Sequence, residues 1–162
     1  MEEKKELVGR GTSESFAEFV QILRQENVNG AGRLFGGHLM AWMDEVAAVS
    51  ARRYAKGPVT TACVEELRFL RPAFSNETMV VHGQVVRTGH TSMEVLVNAY
   101  VERLDGEREL IADAHFILVA LDESEKEKRA IPPVIAENDE EQALLDAAKA
   151  RHMERTPEKN KL

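Results

Sequence analysis

Downstream of Pro58, apolar and polar residues alternate in short runs, a pattern typical of β-strands with one buried face. The four runs span residues 59–69, 77–88, 91–102 and 106–121. A tight turn at Gly89-His90 joins the second run to the third, and Asp105-Gly106 is a strong hairpin signal before the fourth. The sequence therefore predicts an antiparallel meander.

The segment before this meander predicts one long helix. Residues 38–54 contain no Gly or Pro and are rich in Ala, Met and Leu, and Gly57-Pro58 ends the run. The glycine-rich stretch 27–37 precedes it as a loop. Residues 15–24 fit a first strand or a short helix about equally poorly, so both interpretations stay open.

The C-terminal part turns charged and is interrupted by Pro132-Pro133. Residues 140–155 then place acidic residues first and basic residues last, as expected for a surface helix whose charges match its dipole. A lone early helix must bury its apolar stripe against the sheet. We therefore expect an α+β fold with an antiparallel sheet wrapped around one central helix. Its parts are a flexible arm (1–14), the main domain (15–136) and a C-terminal helix and tail (137–162).

Composition narrows the class of protein. A chain of 162 residues suits one domain, and a formal net charge of -7 argues against a nucleic-acid binder. The charged start lacks the apolar core of a secretory signal, and no apolar run approaches the roughly 20 residues that span a bilayer. We expect a soluble, cytoplasmic protein. The single cysteine, Cys63, excludes an intramolecular disulfide and is interpreted as a buried small residue.

Asp44 is the main candidate for chemistry. On a helical wheel it lies opposite the expected packing face of Leu39, Met43, Val46 and Ser50. Its own stripe carries only small residues, namely Gly37, Ala41, Ala48 and Ala51. No basic residue lies three or four positions away to pair with it. The stripe leaves room above the carboxylate for a ligand or a partner, although on the wheel alone an aspartate among alanines is more often simply exposed to solvent.

Gly36-Gly37 open this helix and supply free backbone N–H groups, which favour developing negative charge. A carboxylate that activates water and a group that polarises a carbonyl are the two parts of a hydrolytic site. Gly37 and Asp44 are, however, about 10 Å apart along a helix. We therefore expect the two parts to come from different subunits.

Several segments in order resemble the hotdog acyl-CoA thioesterase family, of the bacterial YciA-like and cytosolic acyl-CoA hydrolase type. They are Asn29-x-x-Gly32-x-x-Phe35-Gly36-Gly37, Met40-x-Trp42-Met43-Asp44, Val59-Thr60-Thr61, Phe69-x-x-Pro72 and Gly89-x-Thr91-Ser92-Met93. The resemblance covers residues 15–155. It implies a hotdog fold, a dimer of hotdogs that is often assembled into a trimer of dimers, and hydrolysis of acyl-CoA without a metal or other cofactor. CoA is then bound only as part of the substrate and product.

The resemblance also assigns roles to residues. Asp44 matches the catalytic carboxylate, as a general base or, less favoured, a nucleophile. Asn29 matches an asparagine that orients water or bonds the thioester carbonyl. Gly36 and Gly37 match the helix start that stabilises the oxyanion, and Thr61 lies near a hydroxyl seen in related enzymes.

Two further groups are candidates for binding CoA. The turn formed by Gly89, His90, Thr91 and Ser92 resembles a segment beside the pantetheine or phosphates, and a plain hairpin turn is the alternative. Arg68 and Arg71 could bind phosphates or could be ordinary surface arginines. The histidines lack zinc-like spacing, so no metal site is expected.

Two other functions compete with a thioesterase active in fatty acid metabolism. A non-catalytic acyl-CoA-binding regulator could use the same fold. A hotdog dehydratase or hydratase would need a histidine beside the carboxylate, and the sequence shows no such pair. Acyl chain length cannot be predicted from these residues.

Overall fold

The computed structural model describes residues 7–159, and side chains up to residue 154. Two long helices and seven strands form in the described chain. In order they are β1 (Arg10–Gly11), β2 (Ala17–Ile22), α1 (Gly36–Ala55), β3 (Val59–Phe69), β4 (Thr78–Thr88), β5 (Ser92–Glu102), β6 (Arg108–Ala120), β7 (Val134–Ile135) and α2 (Asp139–Lys159).

The five longer strands form one antiparallel sheet in the order β2-β4-β5-β6-β3, and α1 packs against it. The predicted meander and central helix are confirmed, with bounds within two residues of those expected. Residues 15–24, for which the sequence left both a strand and a short helix possible, contain the strand β2. The sequence did not predict that β3 crosses the sheet to pair with β6 at the far edge.

The core lies between α1 and the sheet. Leu39, Met43 and Val46 of α1 are buried against alternating residues such as Val81 and Val95. Each such side chain contributes about 1.5–3 kcal/mol when it leaves water. The predicted packing face is confirmed. The small-residue stripe around Asp44 is less open than expected, because its Ala51 is fully buried in the core.

The N-terminal arm is more ordered than the sequence suggested. Within its described part, β1 pairs in parallel with β7, and Thr12 is fully buried. The Ser15 hydroxyl accepts a hydrogen bond from the Val85 amide at 2.9 Å. Residues 1–6 of the expected arm lie outside the described residues. The described part of the arm is therefore fixed to the domain.

α2 covers part of the outer face of the sheet. Its Leu145 and Ala148 are buried. Its Arg151 reaches the fully buried carboxylate of Glu94 at 2.9 Å. Burial alone would raise the pKa of Glu94, but hydrogen bonds from His115, Arg151 and Arg87 together lower it to about 2. This cluster fastens α2 to β4, β5 and β6.

The outer edge of the sheet is open along β3, and most of its residues are exposed in the single chain. Val64 and Phe69 are 40% and 54% exposed. Cys63 is also exposed, so the interpretation of a buried cysteine is wrong. The reason is that β3 is an edge strand, with a hydrogen-bonded neighbour on one side only. Within the described part of the chain, no helix is both long and apolar enough to cross a membrane.

Candidate active site

Asp44 and Thr61 form a direct pair between α1 and β3. The Thr61 hydroxyl donates a hydrogen bond of 2.8 Å to Oδ1 of Asp44. A register shift in β3 follows Thr61, between Thr61 and Cys63. Asp44 is half-buried, and its Oδ2 has no hydrogen-bond partner among the described side chains. One oxygen of the carboxylate is thereby oriented, while the other remains free to accept a proton.

Asn29 organises the loop before α1. Its Oδ1 accepts hydrogen bonds from the amides of Ala31, at 2.9 Å, and Arg33, at 3.2 Å. The backbone N–H of Asn29 donates to the Arg33 carbonyl at 2.7 Å. Gly32 supports this tight loop with a φ of +74°, a conformation that favours glycine. Because Oδ1 is occupied, the side-chain NH₂ group of Asn29 is the part left to contact a ligand, and it can only donate.

The start of α1 carries no side-chain cap. Phe35 is the N-cap residue and makes no side-chain capping bond, so the first amides of the helix have neither a cap nor an intrahelical acceptor. A Cβ at Gly37 would lie 2.5 Å from the Phe35 ring, so a larger residue there would require this exposed ring to move. The entry to the helix is fixed by hydrogen bonds from Leu34 to Ala73 at 2.7 Å and from Phe35 to Asn27 at 2.9 Å.

Asn29 and the helix start share one cleft of about 330 Å³. Its remaining lining is mainly apolar, together with two arginines: Arg33, Leu34, Leu39, Phe69, Leu70, Arg71, Pro72 and Ala73. The described lining includes neither Asp44 nor Thr61. The structure therefore brings the site residues together in two groups, the Asp44–Thr61 pair and the Asn29–Gly36 cleft.

The helix itself keeps these two groups apart. Gly36 and Asp44 are separated by eight residues of continuous α1, which is about 12 Å at 1.5 Å per residue. A carbonyl held at the helix start within about 3 Å of its amides cannot also lie beside Asp44 of the same chain. If both groups act on the same thioester carbonyl, they have to come from different chains.

The two arginines proposed for CoA are already paired within the chain. Arg68 forms a two-pronged ion pair with Asp113, with contacts of 2.8 and 2.5 Å. Arg71 is paired with Glu109. Arg68 therefore looks like an ordinary surface arginine held in an ion pair. Arg71 differs from it, because Arg71 also lines the cleft beside Asn29.

The turn from Gly89 to Ser92 lies elsewhere. Its backbone is closed by a bond from the Gly89 amide to the Ser92 carbonyl at 2.8 Å, and the Thr91 carbonyl accepts from Ala120 at 2.8 Å. Gly89 lines a second cavity, of about 540 Å³, between the end of β4 and α2. Along β6, the partners of Ser92 and Arg68 are six residues apart, about 20 Å. The two CoA-binding candidates are therefore not neighbours within one chain.

The sequence did not identify two charged residues that the structure places in notable environments. Arg33 lines the cleft beside Asn29, and Glu94 is a buried charge centre. Nothing in the spacing of either residue signalled its environment, because each depends on how distant segments pack. In the chain from residue 7 to residue 159, no group of three or more His, Cys, Asp or Glu side chains is placed to hold a metal ion.

Comparison with known proteins identifies the family. Residues 31–105 match the model of the thioesterase superfamily. An uncharacterized acyl-CoA thioester hydrolase of Bacillus subtilis is 36% identical over 130 residues, covering 80% of this chain and 75% of the relative.

Solved structures agree with this match. The acyl-CoA hydrolase of Staphylococcus aureus, in complex with butyryl coenzyme A, coenzyme A and coenzyme A disulfide, superposes with a TM-score of 0.87 at 29% identity, covering 93% of this chain and 92% of that one. An apo-hexameric acyl-CoA thioesterase gives a TM-score of 0.89 at 30% identity, covering 96% of this chain and all of that one. The hotdog fold is confirmed, and the chain belongs to the acyl-CoA thioester hydrolase family of the thioesterase superfamily.

Proposed function

We propose that this protein hydrolyses acyl-CoA thioesters to a free carboxylic acid and CoA, with Asp44 as the general base. The observation that carries the proposal is the Asp44–Thr61 hydrogen bond of 2.8 Å. It fixes a carboxylate in the middle of α1 with one oxygen oriented and the other free. A positioned carboxylate of this kind can take a proton from water during attack on a carbonyl.

The chemical steps use two groups of residues. Water attacks the thioester carbonyl as Asp44 takes its proton, and a tetrahedral oxyanion forms. The amides of Gly36 and Gly37, together with the Asn29 side-chain NH₂ group, are the donors available to that oxyanion. The C–S bond then breaks and CoA leaves as the thiol after accepting the proton. Direct attack by Asp44, forming an anhydride, is the less favoured route.

Of the two roles considered for Asn29, hydrogen bonding to the thioester carbonyl has the better support. Its Oδ1 already accepts hydrogen bonds from two backbone amides, at 2.9 and 3.2 Å, and is not available to accept a hydrogen bond from water. The remaining NH₂ group is a donor, as stabilisation of an oxyanion requires.

The complete site is proposed to lie between two chains. The Asp44–Thr61 pair of one chain would face the Asn29–Gly36 cleft of the other. The exposed edge strand β3 is a surface through which sheets can join. Similar structures include hexameric thioesterases, which supports a homo-oligomer built from dimers, with a trimer of dimers as the proposed assembly.

The solved variants of the Staphylococcus aureus hydrolase also support these assignments. They replace an aspartate, an asparagine and a threonine by alanine. Those three residues have the same relative spacing as Asn29, Asp44 and Thr61 in this chain. That enzyme was also solved with butyryl-CoA, so a short acyl-CoA is the natural first substrate to test.

Other parts of the proposal concern cofactors, CoA contacts and location. We propose that the reaction needs no added metal or cofactor, that CoA enters only as part of the substrate, and that the protein acts in the cytoplasm. The turn Gly89–Ser92 remains a proposed CoA contact, and so do Arg68 and Arg71. The ion pairs of both arginines would have to open or be shared for this to happen.

The direct test compares two neighbouring carboxylates. Asp44→Asn keeps the shape of the side chain and removes the base, so turnover of butyryl-CoA should fall by at least about a hundredfold. Glu45→Gln is the matched control, because Glu45 is exposed and lies outside both groups of site residues. Release of free CoA thiol measures the rate. Near-normal turnover by Asp44→Asn would contradict the assignment, and binding of butyryl-CoA without hydrolysis by the wild type would indicate a non-catalytic binding protein.

A further inference from the structure

Arg33 combines a position in the cleft with a guanidinium that has no partner among the described residues. Its side chain is exposed and lines the cleft that contains Asn29 and Gly36. It forms no hydrogen bond or ion pair through its guanidinium with any described residue. Arg71, the other arginine of the cleft, is neutralised by Glu109.

The charge of the cleft is therefore supplied by Arg33. The lining contains these two arginines and no carboxylate, and the rest is mostly apolar. An unpaired guanidinium beside apolar walls attracts anions more strongly than one surrounded by water. This local positive charge occurs on a chain with a formal net charge of -7.

The backbone of Arg33 is held in place by the loop that presents Asn29. The Arg33 amide donates to Asn29 Oδ1 at 3.2 Å, and its carbonyl accepts from the Asn29 amide at 2.7 Å. An isolated antiparallel bridge pairs Arg33 with Phe74. A ligand that contacts the Asn29 NH₂ group is consequently close to the base of the Arg33 side chain.

Resting on the function proposed above, we infer that Arg33 binds an anionic oxygen group of the substrate. The planar guanidinium matches two oxygens of a phosphate or a carboxylate at once. Two parts of an acyl-CoA can provide such a group: the phosphates of CoA, and a carboxylate at the far end of a dicarboxylic acyl chain. In either case Arg33 sets substrate affinity in the cleft, while Asp44 performs the chemistry.

Three substrates separate the two sources. Butyryl-CoA carries phosphates only, S-butyryl-pantetheine carries neither group, and glutaryl-CoA carries both. If Arg33 binds phosphate, Arg33→Ala should raise KM about tenfold for both CoA esters, equivalent to about 1.4 kcal/mol, and leave the pantetheine ester unchanged. If it binds the acyl carboxylate, only glutaryl-CoA should show this rise. In both cases kcat should change little and Arg33→Lys should recover part of the affinity.

The control is Arg52→Ala, because Arg52 is also an exposed arginine without a described partner but lines none of the described cavities. If Arg33→Ala and Arg52→Ala give the same KM for all three substrates, the inference is wrong. Equilibrium binding of CoA and glutaryl-CoA by titration calorimetry provides a readout independent of turnover. An inactive wild type would contradict the proposed function, while the calorimetric comparison of the two variants would still decide the role of Arg33.

Discussion

The Thr61 hydroxyl lies 2.8 Å from Oδ1 of Asp44, so an edge strand orients the carboxylate of the central helix. A hydrogen bond to a charged group contributes about 1.5–3 kcal/mol. Thr61→Val keeps the shape of the side chain and removes this bond, so kcat for butyryl-CoA should fall about tenfold or more. Thr61→Ser, which keeps the hydroxyl, should stay within a few-fold of the wild type. Equal rates for both variants would mean that the bond does not orient the base.

Asn29 provides a test that separates its loop contacts from its chemistry. In Asn29→Asp an oxygen still accepts from the amides of Ala31 and Arg33, but the NH₂ donor is lost and a negative charge replaces it. Loss of one oxyanion donor costs about a hundred- to a thousandfold in kcat. Asn29→Asp should therefore lose activity to at least this extent while its melting temperature remains close to that of the wild type. An active Asn29→Asp variant would show that the side chain does not act as a donor.

Glu94 should make stability depend on pH at the acidic end. Its pKa is lowered from 4.5 to about 2 in the folded chain. The ionised Glu94 therefore contributes fully to the free energy of unfolding above pH 4.5, and this contribution is lost as the pH falls toward 2. The free energy of unfolding should fall by about 3 kcal/mol over this pH range. Urea unfolding across this range should show the decline in the wild type. Glu94→Gln should be destabilised at neutral pH by a similar amount, because it leaves the partly buried Arg87 and Arg151 without their carboxylate partner.

The control for this prediction is Glu107→Gln, whose side chain is 75% exposed and makes only a long contact of 3.9 Å with Arg103. Its stability should follow that of the wild type at every pH. If Glu94→Gln also follows the wild-type curve, the charge cluster does not contribute to holding α2 on the sheet.

Local patterns were sufficient for much of the fold. Alternation identified the four strands after the helix, and the wheel identified the buried face of α1, because both patterns depend on neighbouring residues. Strand order was not accessible in this way. The pairing of β3 with β6 joins segments some fifty residues apart, and it decides that Cys63 lies on an exposed edge.

Glu94 shows a second limit of the sequence reasoning. In the alternating run Met93, Glu94, Val95, a glutamate is expected on the solvent side of the sheet. It is buried because α2, which follows many residues later, covers that face and brings Arg151 to it. The alternation assigned the correct face, but could not show that the face was covered.

The candidate site was only partly predictable for a similar reason. Helix geometry alone separates Asp44 from Gly36-Gly37 and suggests two subunits. Asn29 and Thr61 were singled out by resemblance to a family, and the structure adds the contact between Thr61 and Asp44. Arg33 was missed, because its place in the cleft depends on the Asn29 loop folding back and on residues 69–73 closing the other side.

The central claim, that each active site combines Asp44 of one chain with Asn29 of another, is tested most directly by mixing two inactive variants. Chains carrying Asp44→Asn and chains carrying Asn29→Asp are co-expressed with different tags, and mixed oligomers are isolated by both tags. In a mixed dimer, one of its two sites then has both native residues and the other has neither. Random pairing should restore about a quarter of wild-type turnover of butyryl-CoA, and doubly purified trimers of dimers should show nearly the same fraction, because each contains mixed and unmixed dimers. If the purified oligomer is a single dimer, the fraction should be about half. Turnover that stays at the level of the two parent variants would contradict a shared site and place the complete machinery within a single chain.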